Sequence, residues 1–114
     1  MRVKRGTVTK RKHKKILKAT KGMQGLRRKS VKKAKEALLK AWSYQYRDRK
    51  NRKRDFRRLW IVRINAALEN RGLSYSQFMG DLKKSNISLD RKTLSELAIR
   101  KPHAFEAVVN EVKK

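Results

Sequence analysis

The positive charge of this chain is confined largely to its first half. Residues 1–60 carry 25 Lys and Arg against three acids, a net of +22. Residues 61–114 carry 10 against six, a net of +4. Like charges at that density repel, so packing them against each other in water gains no stability. The first half needs a polyanion to neutralise it, and the phosphate row of a nucleic acid fits that need. The second half has the balance of an ordinary small domain. The expected organisation is a folded module carrying a long cationic arm.

Hydrophobic residues make up 38% of the chain and charged residues 39%, against averages of about 45–50% and about 25%. Most of the apolar residues follow Leu59. A core drawn from so few positions is small, and a bound partner adds to its stability by mass action. There is no cysteine, which removes disulfides, Cys-based zinc sites and a Cys nucleophile. No apolar run reaches the roughly 20 residues that span a bilayer, and the basic start has no apolar segment behind it. No membrane partner is expected.

Residues 1–27 read as a basic arm, disordered when free. Gly6, Gly22 and Gly25 punctuate it, and Val8–Ala19 is its one helical stretch. Residues 28–71 lack Gly and Pro and predict one long basic helix with Ser30 as N-cap. Ala34, Ala37, Leu38, Ala41, Trp42 and Tyr46 mark an apolar stripe at its start. Phe56, Trp60, Ile64, Ala67 and Leu68 mark another at its end. Between them, residues 47–58 hold eight basic side chains in twelve. That stretch is polar on every face, which predicts only partial helicity for residues 40–58 without a polyanion. Gly72 suits the left-handed residue that follows the helix.

A compact helical domain is expected over residues 59–114. Ser74 with Gln77 forms a capping-box pattern, and Leu73 with Phe78 its hydrophobic staple. Tyr75, Phe78, Met79 and Leu82 share one face, and Ser85-Asn86 ends that helix. Asp90 is the next N-cap. Pro102 suits the first position of a last helix, whose buried stripe is Phe105, Val108, Val109 and Val112. The fold class is all-α, with an extended arm, a long basic helix and a small C-terminal helical bundle.

The candidate nucleic-acid-binding residues follow the charge. In the arm they are Arg2, Lys4, Arg5, Lys10, Arg11, Lys12, His13, Lys14, Lys15, Lys18 and Arg27. In the long helix they are Arg28, Lys32, Arg47, Arg49, Lys50, Arg52, Lys53, Arg54, Arg57 and Arg58. Arg grips phosphate oxygens in pairs and Lys adds a point charge. Trp42, Tyr44 and Tyr46 lie among the bases and are candidates for base stacking; helix packing is the competing reading, and the favoured one for Trp42. Phe56 and Trp60 read as core or domain-junction residues. At helical spacing Asp48 faces Arg52, and Asp55 faces Arg58 or Arg52. His13 and His103 are the only histidines. No carboxylate or histidine cluster has catalytic spacing, and no phosphate loop is present. The residues predict no enzyme, no cofactor, no metal and no small-molecule substrate.

Three stretches give the chain a family likeness. They are Arg2-Val3-Lys4-Arg5-Gly6, His13-Lys14-Lys15-Ile16-Leu17-Lys18 and, above all, the block from Tyr46 to Ala67. Gly72–Phe78 and Leu89–Leu94 extend it. In these the chain closely resembles the bacterial-type large-subunit ribosomal protein numbered twenty. The family often places an aromatic residue after the glycine matching Gly22, where this chain has Met23. The resemblance implies large-subunit ribosomal RNA and neighbouring ribosomal proteins as partners. It also implies a ribosome of the cytoplasm or of a plastid stroma, a role early in subunit assembly and, in some members, translational repression of the protein's own messenger. Arm and helix would thread between RNA helices while the compact part recognises a folded junction. It adds Arg63 and Asn65 to the candidate set. The alternative, a histone-like DNA-compacting protein, would bind duplex DNA as well as structured RNA.

Overall fold

A computed structural model describes residues 6–114. It contains α1 (Gly6–Ala19), a short 3-10 helix (Gly25–Arg28), α2 (Val31–Glu69), α3 (Tyr75–Lys84), α4 (Arg91–Arg100) and α5 (Pro102–Lys113). No strand occurs among the described residues, so the fold is all-α. The chain divides into two compact units, the second being Asn51–Lys114, and the boundary falls within α2.

In the first unit α1 contains the predicted helical stretch and ends with it at Ala19. Thr20 follows it fully buried, its hydroxyl donating to the carbonyls of Ile16 and Leu17 at 3.4 and 3.2 Å. Gly22, at φ +91°, lets the chain leave the helix, and Met23 N–H donates to the Thr20 carbonyl. Among the described residues of this unit Ala34 and Leu38 are the buried apolar positions, one turn apart on α2.

α2 runs unbroken through residues 40–58, where the sequence predicts only partial helicity. Arg, Lys and Gln are good helix formers and no Gly or Pro interrupts them, which favours the continuous helix despite charge repulsion. Its end is a Schellman motif. Gly72 N–H donates to Glu69 O at 3.1 Å and Leu73 N–H to Leu68 O at 3.4 Å, with Gly72 at φ +66°. Asn86 plays the same part after α3, at φ +55°, with Ile87 N–H reaching Leu82 O at 3.1 Å.

The core of the second unit is Ile64 and Leu68 from α2, Phe78 and Leu82 from α3, Leu94 from α4, and Phe105, Val109 and Val112 from α5. The rings of Phe78 and Phe105 meet at 5.9 Å between centroids, tilted by 53°. Caps fix the helix starts. Ser74 and Gln77 complete the capping box, each side chain bonding the other's backbone N–H at 3.3 Å. Asp90 Oδ1 accepts the Thr93 amide at 3.1 Å, and Pro102 opens α5. Two polar links brace the bundle. Arg91 Nε donates to Tyr75 Oη at 2.8 Å. Arg71 donates to the Ala67 carbonyl at 3.2 Å, pairs with Glu106 at 3.7 Å and lies over the Phe105 ring at 5.7 Å.

Candidate nucleic-acid interface

From Trp42 to Leu59 every side chain of α2 is exposed except that of Asn51, which is partly so. Ala34 and Leu38, and again Ile64 and Leu68, are buried, and no described residue buries the side chains from Trp42 to Leu59. The eight bases of residues 47–58 therefore stand in solvent. Arg49, Arg52, Lys53 and Arg57 make no hydrogen bond or ion pair among the described residues. Arg54 donates to the Asn51 side chain at 3.4 Å, and Asp55 pairs with Arg58 at 3.6 Å, one of the two predicted partners.

Asp48 differs from expectation. Its partner is the adjacent Arg47, whose Nε reaches Oδ1 at 3.0 Å, and not Arg52. The same guanidinium lies 4.4 Å from the Tyr44 ring centroid. Held through Nε and the ring, Arg47 keeps its terminal nitrogens for another acceptor. Lys40 approaches the Tyr44 ring at 4.8 Å, and Lys50 the Tyr46 ring at 4.8 Å. Both tyrosine rings thus carry cations in the free chain, and a base stacking on a covered face would have to displace one.

The packing readings of Trp42 and Phe56 need correction. Trp42 is 55% exposed and Phe56 50% exposed, so neither ring is packed into a core. Trp60 is partly buried and touches Phe56, ring centroids 6.3 Å apart.

The remaining candidates spread over several elements. Lys10, Arg11, Lys12, His13, Lys14, Lys15 and Lys18 are exposed on α1, Arg27 and Arg28 on the 3-10 helix, and Lys32, Arg63 and Asn65 on α2. Arg2, Lys4 and Arg5 lie outside the described residues. One feature escaped the sequence reading. Lys92 and Glu96 of α4 line a cleft with Phe56, Leu59 and Trp60. Their spacing of four on α4 marks them as one face, but only the fold brings that face to α2.

The carboxyl of Asp90 has its acidity displaced. Hydrogen bonds from the Thr93 side chain and then its backbone hold it below its usual 3.8. This is a capping effect. Among the described residues no cluster of His, Asp or Glu could hold a metal ion. No helix among them is long and apolar enough to cross a membrane.

Fold and surface together define a class: a helical polycation whose basic side chains are displayed on helices and whose main core, among the described residues, lies in a small helical bundle. Comparison with known proteins narrows it. The family model described as ribosomal protein L20 matches residues 2–108. A large ribosomal subunit protein bL20 from Roseiflexus sp. (strain RS-1) is 55% identical over 112 residues, covering 98% of this chain and 96% of the relative. One from Methylorubrum populi is 56% identical over 112 residues, covering 98% and 93%. The chain belongs to the ribosomal protein L20 family, a structural and non-enzymatic family of the ribosome.

Proposed function

We propose that this chain binds large-subunit ribosomal RNA and acts as an assembly scaffold early in the making of that subunit. The observation that carries this reading is the exposed middle of α2, where eight basic side chains stand without cover from the described residues. Helices of RNA that approach closely crowd their phosphates. A thin rod of Arg and Lys between them offsets the repulsion. The compact unit supplies shape for recognition, and neighbouring large-subunit proteins complete the surroundings. The bL20 relatives support a place in the ribosome and weigh against a histone-like role. Repression of the chain's own messenger would follow if that messenger presents the same RNA shape.

The test is a competition filter-binding titration with the full chain at about 0.2 M salt, where non-specific charge attraction is weakened. Labelled large-subunit RNA is challenged with excess duplex DNA and transfer RNA. Retention of the ribosomal RNA is expected. Equal displacement by duplex DNA would sink the reading and favour the histone-like alternative.

A further inference from the structure

We propose that the cleft between α2 and α4 receives an unpaired nucleobase of an RNA strand. The inference rests on the RNA-binding reading above and names a ligand for one place on that surface. The cleft, of about 730 Å³, lies wholly within the second unit. Its floor is apolar: Phe56, Leu59 and Trp60. Phe56 is half exposed and Leu59 is 39% exposed, so the cleft presents apolar surface to solvent. Its rim is cationic, with Arg52, Arg57 and Arg63 from α2 and Lys92 from α4.

That combination selects the occupant. An apolar protein side chain would satisfy the floor and leave the rim charges uncompensated. A bare phosphate would satisfy the rim and leave the rings in water. A nucleotide does both, since its base offers a flat π face and its flanking phosphates meet the guanidinium groups. The rings of Phe56 and Trp60 are tilted by 37° with centroids 6.3 Å apart. They touch each other, so a base takes an open ring face and does not slot between them. Glu96 is the single acid on the lining. It repels phosphate and accepts a hydrogen bond from a base N–H, which suits a base bearing an exocyclic amine.

The test uses the full chain carrying Trp42→Phe, which leaves Trp60 as the sole tryptophan of the two. Its emission is titrated with a short oligoadenylate and with an abasic ribose-phosphate oligomer of equal phosphate number. Oligoadenylate is expected to quench Trp60 and to bind about tenfold more tightly than the abasic strand. Phe56→Leu keeps an apolar side chain on an exposed helix face and should erase most of that preference. Lys92→Gln should weaken both strands alike. Equal affinity for the two oligomers, or a preference untouched by Phe56→Leu, overturns the inference. Binding of large-subunit RNA against duplex DNA is measured on the same proteins. If it shows no discrimination the ribosomal reading falls, while the oligomer comparison still decides the cleft.

Discussion

Arg71 does three things at once. It bonds a carbonyl of its own helix, pairs with Glu106 of α5 and covers the Phe105 ring. The ion pair alone is half exposed and contributes little. The hydrogen bond and the ring contact are shielded and contribute more. Arg71→Ala is therefore expected to destabilise the chain by about 1–2 kcal/mol in urea unfolding. Glu106→Gln should cost no more than a few tenths of a kcal/mol; equal losses would mean the ion pair dominates. Asp90 gives a pH signature. Its folded-state acidity lies below the ordinary 3.8 because Thr93 bonds the carboxylate. A depressed value adds stability above the unfolded pKa and loses it as pH falls through the folded one. In thermal unfolding followed by circular dichroism, Asp90→Ala should melt below the parent chain at about pH 6. The gap should shrink below about pH 4.

At the scale of elements, turn chemistry decides where helices stop. Gly72 sits at φ +66°, and a Cβ there would meet nothing within 4 Å. The cost of Gly72→Ala is then backbone strain alone, about 1 kcal/mol, with no steric clash added. A loss well above that in a urea titration would show that the loop is packed more tightly than the structure has it. The same chemistry made the C-terminal helices legible in the sequence. Ser74, Gln77, Asp90 and Pro102 are local signals, each acting on amides within one turn, so their meaning does not depend on the rest of the fold. Periodicity was equally plain about which face of α2 is apolar. It was silent on whether anything covers that face. Cover over Phe56 depends on how far α4 reaches, and that is a long-range matter. Asp48 shows the limit at short range: helical spacing favoured Arg52, yet the neighbouring Arg47 bends back to it over the Tyr44 ring. The cleft stayed hidden for the same reason, since Lys92 and Phe56 are 36 residues apart in sequence.

Over the whole molecule, charge acts in opposite directions on folding and on binding. A net charge of +26 repels itself in the free chain, and salt relieves that repulsion by screening. Bound to RNA, the same charges release condensed counterions, and salt opposes that release. Salt should therefore raise the melting temperature of the free protein while lowering its RNA affinity. If about ten phosphates are contacted, affinity should fall with a log–log slope of about −7 to −9. Arg49, Arg52 and Arg57 separate the two effects, because they make no ion pair or hydrogen bond within the described chain. Changing all three to Gln removes no hydrogen bond or ion pair among the described residues, so the free protein should melt no lower than the parent. If each meets a phosphate, the slope should become shallower by roughly 2–3. Two titrations over the same salt series, one of melting and one of RNA binding, read both quantities. A lowered melting point would mean that α2 depends on these side chains for its fold. An unchanged slope would mean that the phosphates lie elsewhere along the chain, with α1 the first place to look.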